Sequence, residues 1–238
     1  KTKESEKAVN VALQKYPRNL LLNQLKQDLK NRKLKYNFSC KNLSHVSAEI
    51  LYIAANALSS QNINTYSNFY LNLSKYLNGE FYSFDTLLAE NFYKTGNNEK
   101  AKEVYKKIGN NGEAYFWYSS KQIANIYLKD KKDKEAIKTL KKAYEKINYR
   151  NIYENFDYAE FLKNNDRFEE AIKIYTQIIK SINKDHPLYA EATDGRGVCY
   201  ERIGDWPKAE KDLLSSLESS PEQAYVINYL AYSWIEKG

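Results

Sequence analysis

Four columns of residues recur along the chain at intervals of 35, 35 and 38 positions, and a period of that length restricts the fold more than composition can. The copies are anchored on an alanine that follows a short polar turn: Ala101, Ala136, Ala171 and Ala209. Twelve positions before each stands a small residue, Ala89, Ala124, Ala159 or Gly197. Nine before stands a large one, Phe92, Tyr127, Leu162 or Tyr200, and four after stands another, Tyr105, Leu140, Tyr175 or Leu213. Ahead of each turn, apolar residues return at helical spacing, as in Ile123, Ile126 and Tyr127. Each copy therefore predicts two antiparallel helices that approach closely at the small residues. The turns carry Gly96, Lys131, Asp166 and Gly204, and the two glycines can take the left-handed conformation that ends a first helix. In GDWPKAEKDL, Asp205 is expected to cap the second helix, with Trp206 and Pro207 in its first turn, where a proline gives up no hydrogen bond. With only 8 Gly and 4 Pro in 238 residues, a turn-rich β fold is disfavoured.

The segment ATDGRGVCYERIGDWPKAEKDLLSSLESSP, with Gly197, Tyr200, Ala209 and Pro221 in place, resembles the tetratricopeptide repeat family. The segment AYVINYLAYSWIEKG begins another copy, with Leu230, Ala231 and Trp234 in position. Upstream, SAEILYIAANALSSQNINTYSNFYLNLSKYL fits more loosely, with Ala54 in place and Tyr66 where the close-packing alanine belongs. The resemblance implies an all-α fold, a right-handed superhelical solenoid of antiparallel helix pairs. It divides the chain into a basic helical segment over 1–44, read as the end of an earlier repeat, and an array over 45–238. The copies fall at about 45–81, 82–116, 117–151, 152–189 and 190–223, with a partial one at 224–238. The opening SAEILYIAANAL and the close NYLAYSWIEKG resemble bacterial tetratricopeptide proteins of the cell envelope. That makes the periplasm or envelope the expected compartment and the cytoplasm the alternative. The chain starts at Lys1, has no Met, and stops inside a helical pattern, so it is read as a piece of a longer protein.

The resemblance also implies a function, a non-catalytic scaffold that binds a peptide or helix of a partner protein in a concave groove. The family's groove positions, carried over residue by residue, give Thr86, Glu90 and Tyr93, then Tyr118, Lys121, Asn125 and Leu128. They continue with Tyr153, Phe156, Glu160 and Lys163, then Glu191, Asp194, Val198 and Glu201, and end with Tyr225, Asn228 and Tyr232. Lys121 and Asn125 resemble half of a carboxylate clamp, but Asp157, Glu191 and Gly195 stand where its other half would be. The aromatic set Tyr118, Tyr153, Phe156, Tyr225 and Tyr232 either anchors the partner or packs between repeats.

Charge supplies the alternative function. Residues 1–44 hold 11 Lys/Arg and 3 Asp/Glu, so the net +7 of the whole chain lies entirely in this segment. RNLLLNQLKQDLKNRKLK puts Leu22, Leu25 and Leu29 on one face beside Lys26, Lys30, Arg32 and Lys33. Such a helix can tether a protein to an anionic membrane or to nucleic acid, or it can pack its apolar stripe on the first repeat. Of the two, nucleic acid is the less expected partner, because only Tyr36 and Phe38 interleave aromatics with the basic residues.

Catalysis is not expected. The two histidines, His45 and His186, lack metal-ligand partners at helical spacing, and His186 beside Pro187 is expected to be exposed. Nucleotide-binding, zinc-hydrolase and serine-hydrolase motifs are missing, and no cofactor or metal is implied. Gly195-Arg196-Gly197 has only a superficial likeness to a phosphate loop, and Cys199 reads as a buried small residue.

Overall fold

The structure, a computed structural model, describes residues 2–34 and 38–237. Among them are thirteen α-helices, one 3₁₀ turn and no strand. The chain forms two compact units, Lys1–Tyr149 and Arg150–Gly238. The first contains α1 (Thr2–Lys15) and α2 (Leu20–Lys30), then the pairs α3 (Leu43–Ser60) with α4 (Asn64–Leu77), α5 (Ser83–Lys94) with α6 (Asn98–Ile108), and α7 (Glu113–Lys129) with α8 (Asp133–Lys146). The second contains α9 (Ile152–Lys163) with α10 (Phe168–Ser181), α11 (Leu188–Arg202) with α12 (Trp206–Ser219), and α13 (Ala224–Lys237). Within each unit, consecutive helices pack against one another, except α2 and α3.

One turn geometry closes every pair. Gly96, Lys131, Asp166 and Gly204 all have positive φ, between 57° and 83°. The next residue in each case turns its N–H back onto the large column residue. Asn97 donates to the Phe92 carbonyl at 2.8 Å, Lys132 to Tyr127 at 2.8 Å, Arg167 to Leu162 at 2.9 Å and Asp205 to Tyr200 at 2.8 Å. This is the Schellman ending, which satisfies carbonyls that the last helical turn would otherwise orphan. Second helices then begin at Asn98, Asp133, Phe168 and Trp206, with Pro207 in the first turn of α12. Asp205 stands at the N-cap, but its carboxylate makes no cap bond and meets the Lys208 ammonium at 2.5 Å instead.

The small columns form the contact between the helices of a pair. Ala89, Ala124, Ala159, Ala101, Ala136, Ala171 and Ala209 are all fully buried. A methyl group added at Gly197 would meet Leu213 at 3.0 Å and the Ala209 carbonyl at 3.2 Å, so this glycine permits the close approach of α11 and α12. Tyr105, Leu140, Tyr175 and Leu213 fill the space beside these contacts, each at most 1% exposed.

Two expectations for the first unit need correction. In the loosest copy, Tyr66 is not the close-packing residue, because its ring is 65% exposed. The register instead runs through Ala55 and Ser67, both fully buried, with Asn62 at φ 61° in the turn and Leu71 in the large column. Ser67 replaces alanine and satisfies its own hydroxyl by donating to the Ala55 carbonyl at 2.7 Å. The third copy also begins earlier than residue 117, since α7 starts at Glu113, directly after Gly112 at φ 142°.

The apolar stripe of the basic segment does not face the first repeat as expected. Helix α2 packs against α1 and α7 instead. Leu29 is buried, Leu22 and Leu25 are half-buried, and the buried Gln24 accepts the Ala114 N–H at 3.1 Å across 90 positions of sequence. The same side chain donates to Asp28 at 2.8 Å and occupies the space a Cβ at Gly112 would need, 2.2 Å away. Gln24 thus supplies an acceptor to one of the N–H groups that the first turn of α7 leaves open.

Candidate functional site

The proposed groove residues of the first unit sit on α5 and α7. Tyr118 turns its hydroxyl inward and donates to Glu90 at 2.5 Å, with its ring 6.0 Å from that of the buried Tyr105. Burial and the Glu90 carboxylate push the Tyr118 hydroxyl far above the ordinary tyrosine range. Tyr93 lies under the Lys129 ammonium, 4.9 Å from the ring centre. Lys121 and Asn125 are half-buried, one turn apart on α7.

The second unit separates its candidates into two groups. Phe156 is only 7% exposed and packs edge-on to Tyr175 at 6.1 Å, so it belongs to the core and offers a partner little surface. Glu160 is held from within. It accepts the Tyr175 hydroxyl and pairs with the Lys163 ammonium at 2.6 Å. Tyr153 is half-buried, with its ring 6.2 Å from the His186 imidazole. Asp194 lies beside this cluster. Burial pushes its carboxyl up to about 7, with Glu160 and Glu191 adding to the effect and Lys163 opposing it.

Tyr225, Asn228 and Tyr232 form the other group. They occupy one stripe of α13, and all three are exposed, the tyrosines by 60% and 73%. The packing face of the same helix is made by the buried Val226, Leu230 and Ser233. Between the exposed stripe and the end of α11 lies an open cavity of about 370 Å³, lined also by Glu201, Arg202, Tyr229 and Glu236. Tyr229 was not among the sequence candidates. It is one turn from Tyr225, its ring is 5.9 Å away, and its hydroxyl donates to Glu201 at 2.8 Å. Helical spacing from Tyr225 was the signal that could have found it.

The residues weighed for chemistry have structural partners. Arg196 grips Asp212 with two hydrogen bonds of 2.6 and 2.8 Å and reaches Thr176 at 3.1 Å, tying together three helices. Cys199 is fully buried, and burial pushes its thiol up to about 12, which suits packing rather than nucleophilic attack. His186 is half-buried rather than exposed, because its Nδ1 accepts the Leu188 N–H at 3.1 Å at the start of α11. No group of three or more metal-ligating side chains occurs among the described residues.

In the basic segment, Lys30, Arg32 and Lys33 stay exposed, whereas Leu29 is buried and Leu22 and Leu25 are half-buried where α2 packs against α1 and α7. Tyr36 lies outside the described residues, and Phe38 is 39% exposed. Among the described residues, no helix is long and apolar enough to cross a membrane.

Residues 149–222 match the model of the tetratricopeptide repeat. That stretch carries tetratricopeptide repeats. Solved tetratricopeptide structures share the fold over most of the chain. YrrB, described as a TPR protein with an unusual peptide-binding site, is 18% identical, with a TM-score of 0.53 over 76% of this chain and 90% of its own. A Podospora anserina protein with nearly identical TPR-like repeats is 13% identical, with a TM-score of 0.55 over 74% and 96%. MamA from Desulfovibrio magneticus RS-1 is 12% identical, with a TM-score of 0.52 over 75% and 97%. No curated protein sequence matches the chain. A tetratricopeptide fold supports a protein–protein interaction scaffold, and such repeats are in general non-catalytic.

Proposed function

We propose that the chain is an interaction scaffold that holds a peptide or helix of a partner protein along the first helices of its repeats. The observation that carries this reading is the exposed stripe of Tyr225, Asn228 and Tyr232 beside an open cavity. Large aromatic rings facing solvent over a concavity are the usual anchors of an interface. These three positions are also the ones that the repeat assigns to its groove. The peptide-binding site of the similarly folded YrrB supports the same use of the fold.

A displayed peptide library selected on the full chain tests the reading. Peptides should be recovered at high salt, and Tyr232→Ala should weaken the best of them about tenfold or more, as interface hot spots do. Retention that survives both Tyr225→Ala and Tyr232→Ala would contradict it.

The exposed Lys30, Arg32 and Lys33 favour a second reading, an electrostatic tether to an anionic membrane. It requires binding to anionic vesicles that collapses as salt rises and that the three glutamine substitutions abolish.

A further inference from the structure

The two units differ in charge. Residues 150–238 hold 11 Lys/Arg against 16 Asp/Glu, although the whole chain is net +7. The cavity of the second unit follows this bias. Among the described residues Glu201 and Glu236 line it together with Arg202, and the Lys163 ammonium of α9 also acts on Tyr225. Arg202 comes only to 3.8 Å from Glu201 and has a 60% exposed side chain, so it makes a loose pair at the rim. Glu201 is fixed more firmly, through the Tyr229 hydroxyl at 2.8 Å.

The remaining walls are three tyrosines with the polar Asn228 and Ser233. The Tyr225 and Tyr229 rings are tilted by 44° with centroids 5.9 Å apart, and Tyr232 continues the stripe one turn beyond Tyr225 and Asn228. A tyrosine ring attracts a cation to its face through its quadrupole. Exposed rings beside two carboxylates, one of them held by Tyr229, therefore suit a positively charged side chain with an aliphatic stem. The stem lies on the rings and the charge meets the carboxylates. A carboxylate ligand would meet Glu201 and Glu236, with Arg202 paired loosely at the rim.

We infer that this cavity takes a lysine or arginine side chain from the peptide bound in the groove, with Tyr225 and Tyr232 against its stem and charge and Glu201 and Glu236 as counter-ions. The inference rests on the peptide-binding reading above and names the chemistry of the peptide.

The test is an array of short peptides of randomised sequence, blocked at both ends and probed with the full chain. Bound peptides should be enriched in Lys and Arg over Asp and Glu. In the best binder, replacing the critical lysine by norleucine, which keeps the stem and removes the charge, should weaken binding about tenfold. The double substitution Glu201→Gln and Glu236→Gln should cost a similar factor with the lysine peptide and nothing with the norleucine one. Arg202→Gln should tighten the lysine peptide, and Tyr232→Phe, which keeps the ring face, should stay within about twofold. The peptide swap leaves the protein untouched, so its result does not depend on how any variant folds. Equal binding of the lysine and norleucine peptides overturns the cation assignment and leaves the groove reading standing. Enrichment of acidic peptides that lose affinity on Arg202→Gln overturns it in favour of Arg202 as the reading residue. No peptide retained anywhere on the array overturns both.

Discussion

At each of the four best turns the backbone enters the left-handed region, but only Gly96 and Gly204 supply the residue type that enters it without strain. Lys131 and Asp166, both at φ 57°, carry a Cβ there. For an L residue this conformation costs about 1 kcal/mol or more. Lys131→Gly should therefore raise the melting temperature by about 2–4 °C, whereas Gly204→Ala should lower it, both read by calorimetry. The same geometry explains a misreading of the sequence. With alanine as the marker for close packing, Ala54 and Tyr66 took the place of Ala55 and Ser67. The true register was signalled by Asn62, the residue after glycine best suited to positive φ, and by a serine small enough to replace alanine.

Asp194 gives a second prediction at the scale of one residue. Its carboxyl lies at about 7 in the fold, against an ordinary value of 3.8, chiefly because it is buried. The folded state therefore holds the proton more tightly than the unfolded chain. The stability this confers is complete below the unfolded value of 3.8 and is lost as pH rises through about 7. Asp194→Asn should remove that loss, stabilising the protein at pH 8 by on the order of 2–3 kcal/mol and flattening its stability between pH 4 and 7. Denaturant titrations across this range check it, and an unchanged slope would count against the burial argument.

Among the helices, the contacts that the periodicity could not reveal are polar. Asn91 of α5 is fully buried and donates to Ser67 and Asn68 of α4, both at 2.8 Å, while its Oδ1 accepts the Ser59 hydroxyl of α3 at 2.6 Å. Asn91→Ala removes the acceptor of the Ser59 hydroxyl, leaving it only the Lys94 ammonium at 3.2 Å, and opens a void, and should cost about 2–4 kcal/mol, measured by urea unfolding. A buried asparagine looks like a surface residue in a hydropathy pattern, and only three-dimensional proximity shows the network. The docking of α2 escaped prediction for a similar reason. Its apolar stripe was legible, but its target depends on Gln24 reaching Ala114 past a glycine 88 positions away. The pairing of first with second helices was legible because it rests on columns repeated in every copy. The groove was legible only as positions. Exposure then divided them, leaving Phe156 and Glu160 engaged in the core and Tyr225 and Tyr232 facing solvent.

For the whole molecule, the repeats supply a scaffold, and the charge of each half indicates what that half can meet. Residues 1–149 carry 26 Lys/Arg and 14 Asp/Glu, the reverse of the acidic excess in residues 150–238. Partners of opposite charge are steered toward different parts of the chain, an effect that falls away over about 8–10 Å at physiological salt. The central claim concerns where a partner peptide lies, and amide hydrogen exchange on the full chain tests it most directly, with and without a saturating selected peptide. The account predicts slowed exchange at the end of α11 and along α13, around Glu201 and Tyr225 to Tyr232, with α12 unchanged. Protection confined to α1, α2 or the outer face of α12, with α13 unaffected, would contradict it.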